Sequence, residues 1–408
     1  MDTFLSPPYS LTPSQDELAV SYFMSSYTIA SPFDYLPKIY NHITSTSQDA
    51  FSSAVLVASF ASLSLRVRSG KLMNYARLHY SRALLQTNAA LGSSNTVVLD
   101  SSLISVLLLG LYEAITFATR QSPASWTAHT LGAVELIQLR GTKQLETELG
   151  TRLFLQTCNN IRSSCIQRGV AVPDEFLQLY DHFKNLLDPS IPNVRIGPLM
   201  DKIASLKVRV LRVFPVQRAP GIIDEALELE KEARELEDML PESWRYQVCQ
   251  PHMTPSFAYQ GLTHRYPAHH VARHWNILRI VRLFLNEVIW HMALFVDTTK
   301  EKGMPEIFQH CKTIDTVALR TTASANSAQI VTDILASAPQ FLDESSTTFT
   351  PAARFLILPL AVAGEISLTP KPARRCVIWC LHEISSQARL PQALLAAKAV
   401  ESGSSTDW

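Results

Sequence analysis

The chain has few cysteines, and they are scattered. Six occur among 408 residues, and none lies in the first 157 positions. They are Cys158, Cys165, Cys249, Cys311, Cys376 and Cys380. No pair has CxxC spacing, and six thiols are too few and too irregular for a disulfide framework in a chain of this length. The pattern predicts reduced, mostly buried thiols and a protein of the nucleus or cytoplasm.

An excess of charge of either sign is also missing. Lys plus Arg and Asp plus Glu number 36 each. Proteins that bind nucleic acid draw most of their affinity from basic surfaces that neutralise phosphates. We therefore expect no direct binding of nucleic acid by these residues.

Long apolar runs do not occur where a targeting or membrane segment would need them. The N-terminus has no basic segment followed by an apolar stretch, as a secretory signal would. The most apolar helix predicted, 103–118, reaches Glu113 after about ten residues, short of the roughly 20 that span a bilayer. We expect no membrane partner.

Glycine is scarce, with 13 residues, and no segment alternates with the period of a strand. Apolar residues recur instead at helical spacing. Helices are predicted near 14–30, 48–67, 70–91, 98–118, 125–140, 146–168, 172–187, 197–213, 222–240, 268–297, 304–341, 350–365 and 371–399. With 47% hydrophobic residues a large core is expected. The fold class is all-α, an irregular multi-helix bundle, and a partly solenoidal arrangement stays open because no tandem period is visible.

The expected organisation is one all-helical domain over 13–401 between flexible tails, 1–12 and 402–408. The least ordered interior segments are expected near 188–197, which is rich in proline, and near 249–266.

Recognisable enzyme motifs are missing as well. There is no GxSxG, no P-loop and no GxGxxG after a strand. We therefore assign no catalytic residue and no cofactor and favour a protein that is not an enzyme, although a binding cavity repurposed for catalysis stays open.

Against these absences, one amphipathic helix from Ala272 to Glu287 carries unusual polar residues. Trp275, Asn276, Arg279 and Arg282 lie among apolar neighbours. A guanidinium in such surroundings needs a partner, either a carboxylate such as Glu113 or Glu287 or an acidic group on a ligand. We favour an ion pair that braces the bundle over ligand contact.

Several segments in a fixed order resemble the regulatory region of fungal zinc-cluster transcription factors, the all-helical part that follows their DNA-binding module. The segments are the Trp275-Asn276-x-x-Arg279-x-x-Arg282 helix, Trp126-x-x-His129-x-x-Gly132 with Arg140-Gly141, and 16–19, 35–37, 76–84, 107–113, 334–341 and 355–360. The resemblance runs from about residue 15 to about 400. It implies an all-helical region that senses small molecules and contacts partner proteins.

The chain departs from that family in its cysteines. The DNA-binding module needs six closely spaced cysteines that hold two zinc ions and so place a helix in the major groove. The cysteines of this chain lie far apart, so we expect no zinc cluster. The prediction is a protein made of the regulatory region alone, and an upstream cluster that the given sequence omits stays an alternative.

Two neighbouring segments have the charge patterns of possible binding surfaces. The acidic segment 222–240 has an apolar seam that a partner helix or a homodimer could cover, but packing on its own core is favoured. The basic stretch from Lys202 to Arg218 lacks interleaved aromatics, so we expect a solvated face paired with the acidic helix rather than a nucleic-acid patch.

Two groups of residues have only part of the spacing that a metal site needs. His270 and His274 share a helical face, but Val271 stands where the HExxH motif needs glutamate. Cys376 and Cys380 have no second pair at matching spacing. No metal is predicted, and His270 is kept as a candidate polar residue.

The residues proposed to line a ligand pocket or a structural polar core are therefore Trp275, Asn276, Arg279, Arg282, Glu113, Trp126, His129, Arg140 and His270. We expect a transcription-regulator-like protein that acts through protein contacts, with a partner transcription factor or a second copy, or by binding a metabolite, in a secondary-metabolite pathway. The alternative is a pathway protein whose inter-helical cavity binds or transforms a secondary metabolite without regulating genes.

Overall fold

A computed structural model describes residues 13–40, 49–116, 124–211, 219–249, 257–301, 315–343 and 348–403. Fifteen α-helices and one two-stranded sheet occur in these residues, so the predicted all-α multi-helix class is confirmed. The chain divides into two compact units, Met1–Thr116 and Phe117–Trp408. Each is described by itself, and the expectation of one continuous domain stays a prediction.

The first unit is built around one apolar helix. Its helices are α1 (Gln15–Tyr22), α2 (Leu36–Ile39), α3 (Ala50–Val67), α4 (Gly70–Leu91) and α5 (Asp100–Thr116). Helix α3 packs against α1, α4 and α5. Its mean hydropathy of 1.6 over 18 residues would suffice to cross a membrane by length and composition alone, but 67% of this stretch is buried within the protein, as expected of a core helix.

Local signals explain where these helices begin and end. Ser14 caps α1 in a capping box with Glu17, Asp49 caps α3, and Ser69 caps α4. Each cap accepts a hydrogen bond from an amide that the first helical turn leaves free. Helix α3 ends at Arg68, which adopts the left-handed conformation with φ 53°.

The second unit contains the remaining ten helices of the described residues. They are α6 (Ala124–Arg140), α7 (Glu148–Arg168), α8 (Asp174–Phe183), α9 (Pro192–Leu211), α10 (Ala219–Asp238), α11 (His269–Glu301), α12 (Thr316–Ala336), α13 (Arg354–Glu365), α14 (Lys371–Gln387) and α15 (Pro391–Ser402). Strands β1 (Gln247–Val248) and β2 (His264–Arg265) pair antiparallel. The long helix α11 is central, since it packs against α9, α10, α12 and α13.

The structure corrects three details of the sequence interpretation. The helix predicted over 371–399 is two helices, α14 and α15, because Arg389 is left-handed with φ 59° and Pro391 starts α15. Part of the Pro-rich segment near 188–197 is ordered, since α9 begins at Pro192. The loop near 249–266 includes the paired strand β2. The predicted tail 1–12 and the start of the helix predicted at 304 lie outside the described residues.

Candidate functional site

The polar helix predicted from the sequence is part of α11, and its Arg279 is buried. The side chain is 2% exposed. Its Nη1 donates to the Tyr266 hydroxyl at 2.6 Å and to Asn276 Oδ1 at 3.0 Å, while Nη2 lies 3.4 Å from His264 Nδ1. These partners are neutral acceptors, and none is the carboxylate that the sequence led us to expect.

Aromatic rings also surround this guanidinium, and the carboxylate of Asp333 is close enough to interact with it electrostatically. Its Cζ lies 5.3 Å from the centre of the Tyr246 ring and 5.6 Å from that of Trp275. A cation is attracted to the face of an aromatic ring at such distances, more strongly when water is excluded. Tyr246 precedes β1, and Tyr266 follows β2, so the two paired strands position these rings against α11.

The imidazole of His264 is also part of this cluster. Burial, together with the charge of Arg279, lowers its pKa to about 3. Its ring stacks on Tyr246 with centres 4.1 Å apart. A neutral imidazole can accept from the guanidinium, whereas an imidazolium would repel it. His264 is therefore neutral in the fold.

Asn276 and Trp275 connect α11 to other segments. Asn276 Nδ2 donates to the Ser337 hydroxyl at 2.9 Å, just after the end of α12. Trp275 Nε1 donates to the Trp244 carbonyl at 2.9 Å. Because each buried donor has an acceptor, we interpret the Trp275, Asn276 and Arg279 group as a structural polar core.

Arg282 forms the predicted ion pair, but with unexpected partners. It donates to Glu230 Oε1 from Nε at 3.1 Å and from Nη2 at 3.0 Å, and to Glu237 from Nη1 at 2.7 Å. Both carboxylates lie on α10, so this arginine joins α10 to α11. Glu113 and Glu287, which the sequence suggested, have other partners.

Of the other predicted residues, Trp126, His129, Arg140 and His270 form none of the hydrogen bonds given above for this core. Glu113 lies in the first unit and accepts a hydrogen bond from the Tyr80 hydroxyl. Trp126, His129 and Arg140 lie along α6 and are half-buried. His270 is exposed, with its ring 5.4 Å from that of Trp244.

The basic stretch of α9 and the acidic helix α10, the two possible binding surfaces named above, pack on each other. Lys202 donates to Glu232 at 2.7 Å, and Arg209 pairs with Glu225. The apolar seam of α10 is buried at Ile222, Ala226, Leu229 and Ala233. This seam is covered within its own unit, as expected from the sequence, and homodimerisation stays a prediction.

Metal ligands do not converge in the part of the chain that the structure describes. No group of three or more His, Cys, Asp or Glu residues there could hold an ion. His274 is buried and lies 3.2 Å from Asn193 Oδ1. The five cysteines of the described residues are free, and Cys311 lies outside them.

A cavity of about 580 Å³ lies against a different face of α11. Small-molecule sites in proteins commonly measure about 300–1,000 Å³. Helix α11 lines it with Ile277, Ile280, Val281, Phe284 and Glu287, which recur every three or four residues. The other walls come from α7, α9, α13, the start of α14 and the end of α15. None of the nine predicted residues is among those that line it.

The cavity has apolar walls and a few charges. Ile280, Phe284, Leu358 and Val362 are only half-buried despite being apolar, because one side of each faces this space. The charged lining residues are Arg168, Lys207, Glu287, Glu365 and Arg374. Most of these residues are isolated charges within amphipathic helices. Their spacing resembles that of ordinary surface residues, so the sequence does not identify them as cavity residues.

Comparisons with known proteins support the resemblance. Residues 22–176 match the family described as fungal specific transcription factor domain. "Transcription factor dbaG" of Emericella nidulans is 23% identical over 387 residues, which covers 86% of this chain and 82% of the relative. No solved structure matches the chain significantly. The matched family segment ends before α11, so it includes Glu113, Trp126, His129 and Arg140 but not Arg279.

The resemblance to fungal-specific transcription factors is thus confirmed over residues 22–176, one relative extends it over most of the chain, and together they support a transcription-regulator-like role.

Proposed function

We propose that this chain is a transcription regulator that responds to a small molecule bound in the 580 Å³ cavity. The observation that carries the proposal is this cavity, of ligand size and with apolar walls, in a chain that resembles transcription factors. The target genes are proposed to belong to a secondary-metabolite pathway, and the site of action is proposed to be the nucleus.

A bound ligand would contact several helices at once. The cavity is lined by Ile203 of α9, Phe284 of α11, Val362 of α13 and Val400 of α15, which lie far apart in sequence. A ligand stabilises whichever packing arrangement it binds more tightly. Occupancy would therefore favour one arrangement of these helices, and a partner transcription factor or a second copy of the chain would detect the change.

The alternative is a pathway protein that binds, carries or transforms a metabolite without regulating genes. The same cavity would serve it. The cavity lining contains no histidine and no cysteine among its described residues, which are the side chains that most often act as bases and nucleophiles near neutral pH. Ser163, Glu287 and Glu365 also line the cavity, and the experiment below separates the two functions.

The test compares a deletion of the gene with a cavity-filling variant, Ile280→Trp, in the source organism. Val317→Trp is the matched control, since Val317 is 63% exposed on α12 and does not line the cavity. Transcripts and metabolites are profiled in parallel, and protein levels are checked.

We expect the deletion to change the transcripts of a defined gene set. Ile280→Trp should abolish the response of those genes to the pathway metabolite, and Val317→Trp should retain it. If the deletion leaves transcripts unchanged while an intermediate accumulates, the alternative function is correct and the proposal fails.

A further inference from the structure

One cation of the cavity, the half-buried Arg374, has one guanidinium N–H without an acceptor among the described residues. Arg374 lies in the first turn of α14 and lines the cavity. Its Nη2 donates to the Ile366 carbonyl at 2.8 Å. Its Nε is buried, and no described group accepts a hydrogen bond from it. No carboxylate of the described residues forms an ion pair with it. A buried donor left in this state costs free energy.

The charges around the cavity favour an anion. Three cations, Arg168, Lys207 and Arg374, line it against two carboxylates, Glu287 and Glu365, which leaves one positive charge in excess. Glu287 already accepts a hydrogen bond from the Ser367 amide at 2.9 Å. A guanidinium binds carboxylate, sulfonate and phosphate oxygens with charge-assisted hydrogen bonds, which are about twice as strong as neutral ones.

The rest of the cavity favours an apolar body. Ile277, Ile280, Phe284, Leu358 and Val362 face the same space as Arg374. Burying a ligand's apolar surface against them would contribute roughly 25 cal/mol per Å² before the costs of association are subtracted. A small polar anion would gain nothing from these walls, and a neutral apolar molecule would leave the positive charge of Arg374 without a counter-charge.

We propose that the cavity binds an amphipathic anion, an apolar molecule with one acidic group held by Arg374. This inference rests on the proposed function, because it takes the same cavity as the ligand site. It adds the chemical class of the ligand and the residue that selects it.

The test uses two fluorescent probes that differ by one acidic group. 1-Anilinonaphthalene-8-sulfonate is the anion, and N-phenyl-1-naphthylamine has the same aromatic body without the sulfonate. Both probes are titrated into the unaltered full chain and into three variants of it, Arg374→Gln, Arg375→Gln and Ile280→Trp. Arg375 is the matched control, since it is exposed, adjacent in sequence and not part of the cavity lining. Circular dichroism checks that each variant folds.

We expect Arg374→Gln to weaken binding of the sulfonate about tenfold or more, as the loss of a charge-assisted hydrogen bond does. Binding of the neutral probe should change less than about twofold, by the same relation between free energy and affinity. Arg375→Gln should leave both affinities unchanged, and Ile280→Trp should abolish both.

A second measurement needs no variant. Decanoate and decanol have the same chain length and compete for the neutral probe in the unaltered protein. We expect decanoate to displace the probe at a concentration about tenfold lower than decanol, for the same reason. This competition tests the preference for an acidic group even if Arg374→Gln fails to fold.

Failure of the inference and failure of the proposed function give different results. If both probes bind, Ile280→Trp abolishes binding, and decanoate has no advantage over decanol, the cavity is a ligand site but the preference for an anion is wrong. If Ile280→Trp leaves both probes bound as before, or neither probe binds, the cavity is not a ligand site and both proposals fall.

Discussion

Arg162 binds both carboxylate oxygens of Asp201. Its Nε donates to Oδ1 at 2.8 Å and its Nη2 to Oδ2 at 2.9 Å. Arg162 lies on α7 and Asp201 on α9, and the arginine side chain is 1% exposed. Its Cζ lies 4.1 Å from the centre of the Tyr180 ring of α8. One buried guanidinium therefore holds three helices of the second unit, two of which also line the 580 Å³ cavity.

We predict that Asp201→Ala lowers the free energy of unfolding by about 3–5 kcal/mol, because it leaves a buried guanidinium without its counter-charge. Lys202→Ala, at the neighbouring position, removes an ion pair with Glu232 whose lysine is 53% exposed and should cost less than about 1 kcal/mol. Urea denaturation followed by tryptophan fluorescence measures both. Equal losses in the two variants would show that the buried pair has no special role.

Gly197 provides an independent test of how tightly this arginine is held. A Cβ at this position would lie 2.6 Å from Arg162 Nη1 and 2.9 Å from its Cζ. Asp201 and Tyr180 fix the guanidinium, so it has little freedom to move away. We expect Gly197→Ala to cost about 1–3 kcal/mol, as overpacking of a core does.

Gly221→Ala is the matched control, because a Cβ there meets nothing within 4 Å and the residue lies inside α10. In a helix, alanine is favoured over glycine by roughly 0.5–1 kcal/mol, so this substitution should be neutral or stabilising. The melting temperatures of the two variants, measured by thermal unfolding, test these expectations. A stable Gly197→Ala protein would mean that Arg162 can shift at little cost.

The helices could be predicted from the sequence because their apolar residues repeat at helical spacing and their caps are local. Helix α4 begins and ends where the pattern places it, at Gly70 and Leu91. The break between α14 and α15 was missed, since the left-handed Arg389 is a conformation that nothing in its residue type requires. Pro391 was the one available signal, because proline favours the first turn of a helix.

The polar core could be predicted only in part. The resemblance and the apolar surroundings drew attention to Arg279, which is buried, and to Arg282, which is half-buried. Their partners come from elsewhere in the chain, Glu230 lying 52 residues from Arg282, and no local pattern indicates such pairing. The cavity was not predictable, because its residues come from six helices and each belongs to an ordinary amphipathic pattern.

Arg282 and Arg234 share a carboxylate, which allows a comparison of buried and exposed pairing at one acceptor. Both donate to Glu230, but Arg282 is 15% exposed and Arg234 is 50% exposed. Arg282→Met also removes the partner of Glu237, which is 14% exposed. We expect it to cost about 3 kcal/mol or more.

Arg234→Met should cost less than about 1 kcal/mol, because water screens the exposed guanidinium. Chemical denaturation of the two variants gives the difference. If both lose the same small amount, the contact between α10 and α11 depends on apolar packing and not on this ion pair.

The buried His274 should make stability fall in mild acid. Burial, together with the nearby charges of Arg273 and His270, lowers its pKa in the folded protein to about 4, whereas an unfolded histidine titrates near 6.5. Between these values the unfolded chain binds a proton that the folded chain does not. The free energy of unfolding therefore falls as pH decreases from about 6.5 to about 4, by up to about 1.4 kcal/mol per pH unit from this residue.

His274→Gln retains a polar group beside Asn193 but does not titrate, so its stability should depend less on pH across this window, whatever its stability at neutral pH. Urea denaturation of both proteins at half-unit steps from pH 7 to pH 4.5 measures the two slopes, and parallel slopes would mean that His274 is not the group that takes up this proton on unfolding.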